Sequence, residues 1–464
     1  MRRRLPFLLL VPVLVAGFAF HAYRAEHPTT HYQSADERSY GKLAVNLATS
    51  GHYGDPASGM RDPLHWPPGA PVMFAVGQRL FPSASAVRTF DLPAAYWLQA
   101  VISTGTAACA FGLAWIVAGP WAGLVAAALV AGYPPLILAT GEQLSEPLGA
   151  FFVIAAALAL ALAARERGGP VLRYGAWALA GALFGCAVLT RADLLLVPWL
   201  VAALVVVWQW RARHAPRRGV ATGALVLAGA GLVVLPWSAY ASARAGELVP
   251  VTRGSASALF VGTYLPGNGT TVGMKRALGA EAKRLNPKLR GTPDFDLEAR
   301  SVLAVAARRH PDLPFNTAVG LEARRNLVRY STADPVGFGK MMLNKVQRMW
   351  TRYARGGARH TSPVLRAWHI ALVGFAMVGL VLGLLRSPRP LVLGAVALAV
   401  AYSTAIHMLV VSQARYNLPL VPALVACGVA GWALWWRRRR APAPARAGAD
   451  AAAAAQRAPL APAR

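Results

Sequence analysis

Ten apolar blocks interrupt an otherwise ordinary chain, and each is about 17 to 25 residues long, the length a helix needs to cross ~30 Å of hydrocarbon. They fall near residues 5–22, 95–118, 121–140, 146–164, 171–190, 192–210, 219–240, 365–385, 390–411 and 416–436. Only 14% of the 464 residues are charged and 56% are hydrophobic, against roughly 25% charged in an average globular domain. This patterning excludes a soluble enzyme, a disordered chain and a coiled coil, and predicts an all-α polytopic membrane protein. The first block follows Arg2–Arg4 but is followed by His21, Tyr23 and Arg24 rather than a small-residue cleavage site, so it reads as a retained signal-anchor helix.

The formal charge of +29, from 48 Lys and Arg against 19 Asp and Glu, invites a nucleic-acid reading until the charges are placed. With the N-terminus inside, the cytoplasmic segments hold nineteen basic residues, including Arg165, Arg173, Arg211, Arg217, Arg218 and Arg386, against two acids, Glu166 and Asp450. The short loops on the other side hold only Arg191 and Arg415, against Glu142, Glu146 and Asp193. That asymmetry is the positive-inside rule, and it predicts both termini in the cytoplasm. The basic excess reports topology and contact with anionic lipid, with no nucleic-acid partner. Cys109, Cys186 and Cys427 all lie in apolar blocks, where small packing residues are expected rather than disulfides or metal ligands.

Four regions follow. Residues 1–240 form an N-terminal transmembrane module whose first outer loop covers 23–94. Residues 241–364 form an outer segment with helical stretches near 275–285, 297–309 and 317–330, then an amphipathic run over 336–355 that suits a helix lying on the outer membrane surface, with acceptor binding as the alternative. Residues 365–436 supply the last three helices, and 437–464 form a disordered cytoplasmic tail rich in Ala, Pro and Arg. No internal repeat of the kind that builds many transporters stands out. Ionisable residues avoid mid-membrane and gather at the outer ends of the blocks, whereas ion-coupled carriers keep them near the midplane.

The first outer loop is the richest in chemistry. Residues 35–50 read as an amphipathic helix with Tyr40, Leu43 and Leu47 on one face and Gly51 at its end. Ser34 with Glu37 forms a capping box, and Asp36 beside it suits the helix dipole. On composition alone both acids are first-turn residues. Gly337–Lys340 lacks the upstream glycine and following Ser/Thr of a phosphate loop.

Several short motifs, in order and at membrane boundaries, carry a resemblance. They are Asp36-Glu37 with Tyr40; Gly51-x-Tyr53; Pro67-Pro68-Gly69-x-Pro71; Ser145–Leu148 opening the fourth block; Leu189–Arg191; Leu235–Trp237; and Arg415-Tyr416-x-x-Pro419 before the last block. Together they resemble the GT-C type membrane glycosyltransferases, particularly the bacterial family 39-like group of protein mannosyltransferases and aminoarabinose transferases, over residues 1–436 apart from much of 270–360. The resemblance implies a GT-C-like fold in a bacterial inner membrane with its active site on the periplasmic face. It further implies a polyprenyl-phosphate-linked sugar donor and a lipid, glycan or protein acceptor, with Asp36 as general base and Glu37 as the second catalytic candidate. Arg191, Arg415, Lys42 and Arg38 become candidate contacts to the donor phosphate. Tyr40, His65, Glu146 and Tyr416 become candidate pocket residues. Arg191 and Arg415 equally suit interfacial anchoring. Where aminoarabinose transferases carry Glu-Lys before Pro-Pro, this chain has His65 and Trp66, so no particular sugar is implied. No compact metal motif joins His52, Asp55, Asp62, His65, Glu142 and Glu146, and no cofactor is assigned; a divalent metal is not favoured. A lipid or solute transporter and a non-catalytic membrane scaffold are the competing classes.

Overall fold

The computed structural model describes residues 4–28, 34–54, 60, 62–165, 169–352, 362–387 and 390–440. Expectations resting on Arg2, Arg3, Asp55, Glu166 and the tail beyond Arg440 lie outside them. Among the described residues the chain is all helical. In order the helices are α1 (Leu5–Glu26), α2 (Ala35–Thr49), α3 (Gly69–Leu80), α4 (Ala86–Thr89), α5 (Pro93–Ala118), α6 (Pro120–Ala131), α7 (Pro134–Thr140), α8 (Glu146–Ala163), α9 (Pro170–Thr190), α10 (Val197–Arg213), α11 (Pro216–Ala245), α12 (Ser255–Thr263), α13 (Thr271–Leu285), α14 (Ala299–Ala307), α15 (Phe315–Ala333), α16 (Pro335–Thr351), α17 (Pro363–Arg386), α18 (Pro390–Leu409) and α19 (Val421–Arg440).

Among the described residues eight helices are long and apolar enough to cross a membrane, or nine if α6 and α7 count as one span bent by 51°. The protein is therefore a multi-pass membrane protein. The block at 121–140 is broken because Gly132 ends α6 and Pro134 restarts the chain as α7, and proline cannot continue a helix through its missing N–H. The last block also starts later than expected. Residues 414–417 form a 3₁₀ turn, so Arg415 and Tyr416 sit on a loop before α19. That helix runs on through Arg437–Arg440, four residues that the sequence places in a disordered tail.

The membrane helices share one core that runs from Ala107 on α5 through Ile154 on α8 and Trp177 on α9 to Val421–Cys427 on α19. Helices α9 and α11 pack together, as do α17 and α19, and α19 also meets α5. Close approach needs small residues, because hydrocarbon offers no hydrophobic drive between helices. At Gly379 on α17 a Cβ would run into the Gly428 carbonyl and the Trp432 ring of α19. Gly379→Val is expected to lower stability by about 1–3 kcal/mol, the usual range for overpacking, read as a fall in unfolding temperature in detergent.

The outer segment has its own apolar core, formed by Phe260, Met274, Leu278, Val302, Leu303 and Val319. Its helices agree in place with the helical stretches expected near 275–285, 297–309 and 317–330. Helix α16 departs from expectation. Met341, Met342, Met349 and Trp350 are buried and the helix packs on α18 and the 414–417 turn, so its apolar face covers protein rather than bilayer. Lys345 is fully buried there, its ammonium donating to the carbonyls of Gly262 at 2.9 Å and Met408 at 2.7 Å. One side chain thereby ties α12, α16 and the end of α18 together beneath the Arg415 loop.

Candidate active site

Helix α2 begins with the capping box anticipated from Ser34 and Glu37. The Glu37 amide donates to Ser34 Oγ at 3.3 Å, and the Ser34 amide donates to Glu37 Oε2 at 2.8 Å. Glu37 Oε1 accepts from the Gln143 amide at 3.3 Å, which joins the helix start to the α7–α8 loop. Both oxygens of this buried carboxylate are thus occupied by backbone N–H groups. Gly41 presses on the Phe90 carbonyl, where any Cβ would clash. Tyr40, Phe74, Leu92 and Leu144 close a small core beneath.

This seating turns Asp36 toward Arg415. The Arg415 guanidinium donates to Asp36 Oδ2, to Gln413 Oε1 at 3.0 Å, and lies 3.4 Å from Glu146 Oε1. Arg191 lies 3.3 Å from the same Glu146 oxygen and 3.1 Å from Asp193. The Tyr416 ring lies between the two guanidiniums, at 4.9 Å from Arg191 and 5.9 Å from Arg415. Asp36, Arg415, Glu146, Arg191 and Asp193 therefore form one chain of alternating charge at the ends of α2, α8, α9 and the 414–417 turn. Buried ion pairs are weak evidence of stability, because desolvation offsets much of their attraction.

The Asp36 side chain remains 38% exposed whereas that of Glu146 is 3% exposed, so the former is open to bulk solvent and the latter is enclosed. Burial opposes ionisation of Asp36, but the Arg415 charge and hydrogen bond outweigh it, helped by His65 and the Trp66 indole N–H, and hold the carboxyl below its usual range. His65 is pushed down by burial against the pull of Asp62 and Asp36, which leaves the imidazole neutral at pH 7. Tyr40 meets the Ser145 side chain. Glu146 Oε2 has no hydrogen-bond partner among the described residues. Beside it, Glu142, Glu146 and Arg415 border a cavity of about 20 Å³, room for one water.

The candidate residues divide accordingly. Asp36, Arg415, Glu146, Tyr416, Tyr40 and His65 come together. Arg191 joins them, buried between Glu146 and Asp193. Lys42 does not join; its ammonium sits over the Phe90 ring at 5.3 Å. Arg38 is exposed, about 200° around the helix from Asp36. Among the described residues no three His, Cys, Asp or Glu side chains converge as metal ligands, and Asp55 lies outside those residues.

Residues that sequence reasoning missed come from the outer segment. Lys275 on α13 lies within electrostatic reach of Asp36; burial pushes its ammonium down, opposed by Asp296 and Asp36. Arg300 lies 3.7 Å from Asp62, beside His65. Neither carries a local signal, since both are ordinary basic residues in a basic segment.

No known family profile matches the chain, and no curated protein matches it. Solved structures do. The oligosaccharyltransferase of Archaeoglobus fulgidus in its apo form is similar with a TM-score of 0.58 at 16% identity, over 99% of this chain and 53% of that one. The same organism's oligosaccharyltransferase AglB, in complex with an inhibitory peptide and a dolichol-phosphate, is similar with a TM-score of 0.55 at 16% identity, over 100% and 53%. ArnT from Cupriavidus metallidurans bound to undecaprenyl phosphate gives a TM-score of 0.43 at 16% identity, over 98% and 80%. The chain spans about half the length of the oligosaccharyltransferase it matches. At this identity the likeness is one of fold: an all-α, GT-C-like polytopic membrane fold, as the motifs implied.

Proposed function

We propose that this chain is a membrane glycosyltransferase that moves a sugar from a polyprenyl-phosphate carrier to a lipid, glycan or protein acceptor. Its site would face the periplasm of a bacterial inner membrane, with both termini cytoplasmic. The observation that carries this reading is the contact between Asp36, on the helix that follows the first membrane helix, and Arg415, on the loop before the last. A proton acceptor and a phosphate-binding cation thereby meet where helices leave the bilayer, at the depth of a lipid headgroup. The fold likeness to an oligosaccharyltransferase whose structure holds a dolichol-phosphate supports the same class of donor.

In the proposed step the acceptor hydroxyl attacks the anomeric carbon and gives its proton to Asp36. The carbon–oxygen bond to phosphate breaks with inversion, and its electron pair leaves on the phosphate oxygen beside Arg415. A guanidinium suits this task because its planar fork matches phosphate bidentately. The pair also gates itself. While Arg415 neutralises Asp36, the carboxylate is a poor base. A phosphate that draws the guanidinium toward itself restores that basicity at the moment a base is needed. Glu146, held between Arg415 and Arg191, fixes where the guanidinium returns.

Glu37 is a positioning residue on this account. Glu37→Gln keeps one acceptor oxygen for the capping box and gives up the bond from the Gln143 amide, so transfer is expected to stay within about threefold of wild type, whereas Glu37→Ala loses about 1 kcal/mol of stability with the cap. Thermal unfolding beside a transfer assay separates the two. The function itself is tested by incubating purified protein with radiolabelled polyprenyl-phosphate sugars and a cell-envelope extract. A labelled covalent product is expected from at least one sugar, and no product from any of them overturns the reading.

A further inference from the structure

We infer that the outer helical unit carries a second binding site, which takes one anionic sugar ring in the cavity among α12, α13, α14 and α15. The cavity measures about 230 Å³, below the ~300–1,000 Å³ of drug-sized pockets, so it suits a single ring. Its lining is of three kinds. Phe260 and Tyr264 stack with centroids 5.4 Å apart, and Tyr330 stands edge-on to Tyr264 at 6.4 Å. Aromatic faces carry partial negative charge and attract the C–H face of a pyranose. The Asn326 amide lies inside, 6% exposed, with Nδ2 lacking any partner among the described residues. A buried donor left unmet is costly, and a ring hydroxyl would satisfy it.

Arg309 and Arg329 complete the lining, and no acidic side chain lines it. Arg309 already donates to Glu322 at 2.7 Å. Arg329 is exposed and has no carboxylate partner among the described residues; its guanidinium lies 5.6 Å from the Tyr330 ring centre. A guanidinium at the border of an aromatic cavity selects a carboxylate or phosphate carried on the ring.

Helix α13 connects this cavity to the carboxylate described above. Leu278 lines the cavity, and Lys275, about 4.5 Å earlier along the axis, is the residue within electrostatic reach of Asp36. Leu278 and Lys275 are three positions apart and share one face of α13, so an acceptor glycan held by an acidic ring against Leu278 extends its neighbouring unit along that face toward Asp36. The acceptor role rests on the transferase reading, whereas binding does not.

The test is saturation-transfer NMR on the purified full-length protein in detergent, with glucuronic acid, glucose 6-phosphate, glucose and inorganic phosphate. Both acidic sugars are expected to bind, glucose about tenfold or more weakly, and inorganic phosphate to fail to displace them. Arg329→Ala and Asn326→Leu should each weaken binding about tenfold, the size of one lost charge-assisted or buried hydrogen bond. Arg329 is exposed, so its variant reports on binding even if Asn326→Leu unfolds. Absence of acidic-sugar binding, equal binding of glucose, displacement by phosphate alone, or wild-type affinity in Arg329→Ala each overturns the site. Binding without any transfer product sinks the transferase reading and leaves the site standing, while transfer without binding does the reverse.

Discussion

Replacing Asp36 with asparagine is expected to lower sugar transfer by about 10²–10⁴-fold, the usual contribution of a positioned general base, with the fold retained. Asparagine keeps the shape and an acceptor oxygen for the Trp66 indole, but it cannot take a proton. Membrane insertion and unfolding temperature should stay close to wild type, since the Asp36 side chain is 38% exposed and the capping box is untouched. The same variant separates the competing classes. A transporter moves substrate without a covalent product and tolerates the change, and a scaffold yields no product in either form. Transfer at the wild-type rate by Asp36→Asn removes the base role outright.

Removing Arg415 should do comparable damage by a different route. Its guanidinium serves Asp36, Gln413 and Glu146 at once, and an ammonium cannot span that set. Arg415→Lys is therefore expected to lose about 10²–10³ in kcat, the scale seen when one preorganised donor to a developing anion is removed. Arg415→Met adds a signature in pH. In the wild type the Asp36 carboxyl is held below its usual range by this cation against the opposing effect of burial. With the cation gone, burial acts with less opposition and the carboxyl rises. The acid limb of kcat/KM in the free enzyme should then move to higher pH. The sign for stability follows from the same shift. A carboxyl depressed in the folded state contributes stability above its unfolded value, near 4, and loses it as pH falls through the folded one. Arg415→Met should flatten that acid-side loss. An unshifted limb in Arg415→Met would show that the pair does not set the basicity of Asp36.

Much of the candidate site could be read as a set of residues and little of it as an arrangement. Ser34 and Glu37 lie three residues apart, and a capping box is a local device, so sequence alone anticipates the start of α2. Asp36 and Arg415 are separated by 379 positions, and no local pattern says that they touch. Lys42 shows the converse. It lies six residues from Asp36 and makes a plausible companion on paper, yet helical rotation carries it around to Phe90. Arg191 was legible as an outer-face cation, but its enclosure by Glu146 and Asp193 arises only when α8 and α9 pack. The run over 336–355 has the periodicity of a surface helix, and such periodicity identifies an apolar face without identifying its partner; here the partner is α18.

Hydropathy and loop charge by themselves determined that the chain threads a bilayer many times, because each span must satisfy its backbone internally and therefore declares itself as a long apolar run. They also marked where helices leave the membrane and which acids and cations wait there. The tertiary structure alone decided which of those charges become neighbours, that the block near 130 bends, and that the outer segment brings Lys275 within electrostatic reach of Asp36. Ion pairs and cavities depend on through-space distances of a few ångströms between segments hundreds of residues apart, and only packing sets those distances.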